Sequence, residues 1–543
     1  MEHFLTKLER TTRQLWNRPA LTNYHGESFT HAEVAEEIEK LHIIYRESGL
    51  HTGDRVAISA RNSARWAIAF MSVLTNHNVA VPLLADFTPD NIQKLVSHSE
   101  ATVLFTDKST FEQMKPEEMP HVETIINMED FQLLWTSSDK VKKAFENCDE
   151  IFRQTYPKGM HPTMVHYEPG YSDELIIINY TSGTTGTPKG IMIPARALSS
   201  NIEYALKTIK CTSSDNSICM LPLGHMYGLT FEFFYTFIGG SHVHFLTKMP
   251  SPSVVMKAFA EIRPYIFITV PLVVEKIIQN KVIPVLKRPV IKAITKIPFF
   301  SKLIYRRINK SFMQALGGRV REIPIGGAPI NPEVEKILVK AKIPIAVGYG
   351  MTECAPLICY AKWNDFRTKS CGKAVDNLHV RIDSRNQKKV IGEIQVKGAN
   401  VMLGYYKNPD ATEAAFTPDG WLRTGDLGLI NKKGFVYIKG RSKFMILSSN
   451  GQNIYPEELE AHINTQLCIA ESIVVERNKK LVALVTLIPE ERAKNHNKEQ
   501  FAEAIRQEAN LTLPAYEQIS KVEILDGDFE HTPKHSIKRH LYS

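Results

Sequence analysis

Between Arg55 and Phe105 the chain alternates short apolar runs with helical stretches, and this alternation constrains the fold more than any other feature. Arg55-Val-Ala-Ile-Ser59 leads into Trp66-Ala-Ile-Ala-Phe-Met-Ser-Val-Leu74, then Val79-Ala-Val-Pro-Leu83, a helix near Pro89 to His98, and Ala101-Thr-Val-Leu-Phe105. Strands separated by helices of that length return by crossovers, so they lie parallel in a sheet covered on both faces. A second set of such units runs from about Leu175 to Gly350. The expected fold class is therefore α/β, with a large N-terminal domain of mainly parallel sheets and covering helices. Asn377 to Gly398 breaks the pattern. Val380-Arg-Ile382 and Glu393-Ile-Gln-Val396 flank a polar turn, which predicts a hairpin in an antiparallel subdomain.

A chain of 543 residues is too long for one core. The sharpest change of pattern lies at Lys439-Gly-Arg-Ser-Lys443, which divides residues 1–440 from 441–543. Beyond it come a helix opening at Pro456 and a hairpin of Ser472–Glu476 and Leu481–Leu487 turned at Asn478-Lys-Lys480. A helix near Lys498 to Ala509 and a strand at Val522–Leu525 complete a small α+β domain.

The seven cysteines are scattered and contain no Cys-x-x-Cys pair, which argues against a disulfide framework or thiolate zinc site and for the reducing cytoplasm. No run of 18 apolar residues occurs. The net charge of +8 is concentrated: eleven Lys/Arg and no Asp/Glu lie between Lys281 and Arg321, leaving the remainder close to neutral. That segment carries no nucleic-acid recognition motif, so no nucleic-acid partner is expected. Its apolar and basic residues alternate in short, proline-broken turns. This suits either an amphipathic surface peripheral to an anionic membrane or a solvated basic face.

One loop carries the chemistry. Tyr180-Thr-Ser-Gly-Thr-Thr-Gly-Thr-Pro-Lys189-Gly190 follows the apolar run Leu175-Ile-Ile-Ile178, which reads as a buried strand. Glycines let backbone N–H groups converge on an anion, hydroxyls add donors, and the lysine supplies a point charge. This is a nucleotide-phosphate loop but not the NTPase P-loop, because Pro188 precedes the lysine and Gly190 follows it.

The order of that loop resembles the phosphate loop of the adenylate-forming superfamily, which includes acyl-CoA synthetases, luciferases and peptide-synthetase adenylation domains. The resemblance extends along essentially the whole chain, and it implies ATP, Mg²⁺ and coenzyme A as cofactor and co-substrates. On that resemblance Thr181, Ser182, Gly183, Thr184, Thr185 and Lys189 cradle phosphate. Gly326-Gly327-Ala328-Pro329 lies against the adenine face, ahead of a helix opening at Asn331-Pro332. In Tyr349-Gly350-Met351-Thr352-Glu353, the tyrosine stacks on adenine, the threonine bonds the α-phosphate and Glu353 holds Mg²⁺. Asp426, in Trp421-Leu-Arg-Thr-Gly-Asp426, accepts from both ribose hydroxyls, as a carboxylate suits a vicinal diol. Arg441 is the second ribose contact, Lys443 the hinge of a mobile C-terminal lid, and His225 and Tyr227 border the acyl pocket.

The tail departs from the family. Most members end on Thr/Ser-Gly-Lys-x-x-Arg, whose lysine reaches the reacting carboxylate and phosphate. Here Thr532-Pro-Lys-His-Ser-Ile-Lys-Arg539 puts Ser536 at the lysine position. Lys534 and Lys538 lie two residues to either side and share its face in an extended segment, with Lys538 the favoured substitute. The resemblance implies an acid–CoA ligase that forms an acyl-AMP and then a thioester. The basic insert is similar to that of long-chain fatty acyl-CoA synthetases and points to a medium- or long-chain fatty acid. Two other readings stand beside it: an acyl-AMP ligase that loads a carrier protein, and a nucleotide-binding pseudoenzyme without its tail lysine.

Overall fold

The computed structural model describes the chain apart from residues 182–187, 248–251, 448–452, 467, 479, 495–496, 512, 515–516, 532–536 and 543. Its largest sheet has eight strands. In spatial order they are Gly404–Tyr405, Lys189–Pro194, Leu175–Thr181, Val79–Leu83, Arg55–Ser59, Ala101–Thr106, Thr124–Asn127 and Leu133–Thr136. The strands from Leu175–Thr181 through Thr124–Asn127 are parallel. Antiparallel pairing is confined to the two edges.

Helix Ala64–Thr75 starts at Ser63, whose hydroxyl accepts from the Trp66 N–H at 3.0 Å. Nearly every residue in it is buried, because it is covered by helix His31–Ser48 on one side and by strands Val79–Leu83 and Pro19–Asn23 on others. That explains an apolar helix with no polar face. A second sheet of four strands sets His242–Phe245 between Asn216–Cys219 and Pro19–Asn23, all parallel, with Ser28–Thr30 antiparallel at the edge. The expected antiparallel unit is a four-stranded sheet of Leu378–Asp383, Gly392–Gly398, Leu422–Ile430 and Val436–Arg441.

The C-terminal elements close on cores of their own. Strand Ile469–Arg477 pairs antiparallel with Lys480–Leu487, which pairs parallel with Lys521–Ile524. Helices Pro456–Ile463 and Lys498–Asn510 bury Leu459, Ile463 and Ile505 against this sheet. Among the contacts that tie this unit to the rest, Asn331 Nδ2 donates to the Asn464 carbonyl at 3.1 Å, and Lys439 pairs with Glu458 at 2.7 Å.

Candidate active site

The phosphate-type loop joins two antiparallel strands, with Thr181 paired to Lys189 at its base. A P-loop instead runs from a strand into a helix, so the structure separates the two kinds of loop as the sequence did. Ser182, Gly183, Thr184 and Thr185 lie outside the described residues. Lys189 Nζ sits 4.8 Å from the ring centroid of Tyr405. The Tyr405 hydroxyl donates to Glu353 Oε1 at 3.0 Å. Tyr405 reaches this place because the short Gly404–Tyr405 strand adds to the outer edge of Lys189–Pro194, fastened by the Leu403 and Tyr406 N–H groups on the Met192 and Gly190 carbonyls. Burial and the neighbouring Glu353 carboxylate raise the Tyr405 phenol above its ordinary range, so it stays a donor. Glu353 forms no ion pair among the described residues. It thus presents a half-buried carboxylate with one oxygen already oriented.

Strands Ile323–Ile325 and Ile345–Val347 pair in parallel. Gly326-Gly327-Ala328-Pro329 turns out of the first. A side chain on Gly326 would meet the Tyr227 ring at 3.1 Å, and Gly327 has φ +90°, so both positions favour glycine for separate reasons. Gly327, Ala328 and Pro329 are exposed. The turn ends where Asn331 caps helix Pro332–Lys340 by accepting from the Glu333 and Val334 N–H groups, as the Asn-Pro pair predicts. Gly350 is exposed, whereas Met351 and Thr352 are half-buried beside Glu353.

Tyr349 is buried, and its hydroxyl donates to Asp426 Oδ2 at 2.7 Å. Arg441 Nε donates to the other oxygen, Oδ1, at 3.1 Å, across the pairing of strands Leu422–Ile430 and Val436–Arg441. The sequence stretches around Tyr349, Asp426 and Arg441 therefore converge on one carboxylate that is only 6% exposed.

The segment Pro222–Gly228 passes beside Gly326. Tyr227, half-buried, points its hydroxyl at the Pro324 carbonyl at 3.3 Å. His225 is half-buried and its carbonyl accepts the Leu229 N–H, opening the π-helical turn Gly228–Phe234. What fixes this segment is a side chain that sequence reasoning missed. Glu232, 1% exposed, accepts the Met220 N–H at 2.8 Å and the Leu221 N–H at 2.6 Å. Asn62 completes the clamp, donating to the Leu221 carbonyl at 2.8 Å and accepting from the Leu223 N–H at 2.9 Å. Burial lifts the Glu232 carboxyl to about 8. The visible signal was a lone acid inside the apolar run Leu229–Tyr235.

Lys443 lies just past Arg441, with Nζ 4.6 Å from the Phe444 ring centroid. Partial burial, with the Arg441 guanidinium next, lowers its ammonium to about 8. The guanidinium of Arg539 lies 4.7 Å from the same Phe444 ring and pairs with Glu460. Lys534 and Ser536 lie outside the described residues. Lys538 is directed elsewhere: Nζ pairs with Glu530 at 3.2 Å, and it contacts neither Lys189 nor Glu353 among the described residues.

The fold is that of the adenylate-forming enzymes. ATP-bound MatB from Rhodopseudomonas palustris superposes with a TM-score of 0.78 at 22% identity, covering 99% of this chain and 98% of that one. The anthranilate CoA ligase AuaEII, in complex with anthranoyl-AMP, superposes with a TM-score of 0.79 at 18% identity, covering 99% and 96%. Residues 8–406 match the AMP-binding enzyme family and residues 444–543 its C-terminal domain, and the chain belongs to that family. Among curated relatives, long-chain-fatty-acid–CoA ligase FadD15 of Mycobacterium bovis is 26% identical over 94% of this chain and 89% of its own length. The peroxisomal long chain acyl-CoA synthetase 7 of Arabidopsis thaliana is 27% identical, covering 85% and 69%.

Proposed function

We propose that this chain is an ATP-dependent acid–CoA ligase acting on a medium- or long-chain fatty acid. A carboxylate oxygen of the acid attacks the α-phosphorus of ATP and pyrophosphate leaves, giving acyl-AMP. The thiolate of CoA then attacks the acyl carbon and AMP leaves. The observation that carries this reading is the arrangement of Lys189 and Glu353 on one tyrosine at the base of the phosphate-type loop. A fixed cation there favours phosphate oxygens, and a carboxylate without a cationic partner suits a hard metal ion. Among the described residues no cluster of three His, Cys, Asp or Glu converges. Glu353 would hold Mg²⁺ together with substrate phosphate oxygens and water, and the bound ion would supply charge neutralisation.

Asp426, oriented by Tyr349 and Arg441, is assigned to the ribose hydroxyls, and the Gly326–Pro329 turn to the adenine face. Tyr349 serves from a buried position, bracing Asp426 while offering its ring. Thr181, Ser182, Gly183, Thr184 and Thr185 bind phosphate, Thr352 the α-phosphate, and His225 and Tyr227 border the acid. Residues 441–543 act as a lid turning about Lys443 between the half-reactions. Lys538 is assigned to adenylation, which requires it to leave Glu530 as the lid turns. The names of the curated relatives support a fatty acid as substrate.

A panel of acids from acetate to oleate, scored for ATP- and CoA-dependent thioester formation, tests this reading. Preferred turnover of medium or long chains is expected. AMP release without thioester would favour a carrier-protein acceptor, and inertness toward every acid would favour a nucleotide-binding pseudoenzyme.

A further inference from the structure

Residues 281–321 form a surface that the proposed reaction does not use. The chain leaves the site at Thr269, whose carbonyl accepts the Gly326 N–H at 3.1 Å, and runs through helix Pro271–Ile277. A π-helical turn, Ile278–Val282, and three α-helices follow, Ile283–Lys287, Pro289–Ile294 and Pro298–Ala315, each α-helix with proline in its first turn. The prolines divide the segment into separate helices and keep the first two short. One face is anchored: Val282, Ile283, Phe312 and Leu316 are buried in a core shared with Phe259 and Val320.

Other apolar side chains of the segment stand exposed among the described residues. Val285, Val290, Ile297, Phe299, Phe300 and Leu303 are all exposed, Val290 and Phe299 each to 68%. Phe299 and Phe300 pack edge to face at 5.6 Å, forming an aromatic tip. Around them the ten Lys/Arg side chains from Lys281 to Arg319 make no ion pair among the described residues. Only Arg321, at the end of the segment, is neutralised, by Asp215 at 2.7 Å.

Unpaired cations alone would describe a solvated face. Aromatic and aliphatic side chains raised among them would not, because water gives them nothing in return. We propose that this surface docks on a bilayer containing anionic phospholipid, with Phe299, Phe300 and their aliphatic neighbours entering the acyl boundary. The surrounding cations meet the headgroup phosphates. Charge complementarity identifies the partner. Between Val285 and Leu303 the polar uncharged side chains are only Thr295 and Ser301, so little is available to read nucleic-acid bases. No helix among the described residues is long and apolar enough to cross a membrane, so the contact is interfacial.

The test is flotation of the full chain with vesicles of equimolar phosphatidylglycerol and phosphatidylcholine, or of phosphatidylcholine alone. Binding to the anionic vesicles at low salt, weakening as salt rises, is expected. Replacing Lys287, Arg288, Lys292 and Lys296 with glutamine should weaken binding at least about tenfold, the scale of a few engaged cations. A Phe299→Ser/Phe300→Ser variant should weaken it even at low salt, which a purely electrostatic contact would not. Thermal melting and turnover of a water-soluble acid without vesicles should match the parent chain, showing that the variants fold. Absence of binding at low salt, equal binding to neutral vesicles, unaltered binding by both variants, or preference for a single-stranded oligonucleotide over the anionic vesicles would each overturn the proposal.

Discussion

Tyr405 donates its hydroxyl to Oε1 of Glu353 at 3.0 Å. The same ring lies 4.8 Å from Lys189 Nζ, so one edge-strand residue spaces the two charges assigned to phosphate and Mg²⁺.

Tyr405→Phe keeps the ring under Lys189 and removes only the bond to Glu353. A hydrogen bond to a charged group contributes about 1.5–3 kcal/mol, so kcat should fall by roughly 10- to 100-fold, with more Mg²⁺ needed for half-activation. Glu353→Gln should cost at least ~10²-fold, the scale of one lost electrostatic stabiliser. Steady-state rates across a Mg²⁺ titration check both. An unchanged Mg²⁺ requirement in Tyr405→Phe would show that the contact is structural only.

Such a contact was beyond the reach of the sequence. The strand–helix–strand pattern of Arg55–Phe105, the Asn331-Pro332 cap and both hairpins are local regularities, fixed by residues a few positions apart, and the structure contains them. Tyr405 acts on Glu353 through a strand pairing that joins it to Ile191, more than two hundred residues earlier. The antiparallel edges of the main sheet escaped for the same reason, since an apolar run such as Ile191-Met-Ile193 reads alike in either direction. For the site, the sequence stretches around Tyr349, Asp426 and Arg441 were legible, but the direct contacts of Tyr349 and Arg441 with Asp426 were not.

Glu232 gives the fold a pH signature. Burial raises its carboxyl from 4.5 to about 8, so the folded chain holds near neutrality a proton that the unfolded chain releases. Its contribution is complete below about 4.5 and is lost as pH rises through 8, a fall of a few kcal/mol at roughly 1.4 kcal/mol per unit. Glu232→Gln keeps a neutral acceptor for the Met220 and Leu221 N–H groups and should flatten this slope. Melting temperatures from pH 5 to 9 check it. Equal slopes in the two proteins would assign the proton elsewhere.

The proposed lid separates the half-reactions. Lys443→Pro fixes one dihedral and disfavours the turn conformation at Ser442, which lies in the helical turn Ser442–Phe444. Adenylation should survive while thioester formation from supplied acyl-AMP falls sharply. Lys538→Ala should do the reverse, slowing adenylation by orders of magnitude and sparing the second step. Rapid-quench measurement of each half-reaction distinguishes them. If Lys534→Ala is the crippled variant instead, the register of the tail differs by four residues and the mechanism stands. Equal loss of both steps in Lys443→Pro would contradict a hinge.

The most direct test of the proposed chemistry is acid-dependent exchange of labelled pyrophosphate into ATP, which reports adenylation without CoA or lid rotation. The proposed site predicts exchange that starts only when a fatty acid is added and that Glu353→Gln reduces at least ~10²-fold. Exchange unaffected by that substitution, or a folded chain that exchanges with no acid from acetate to oleate, would contradict it.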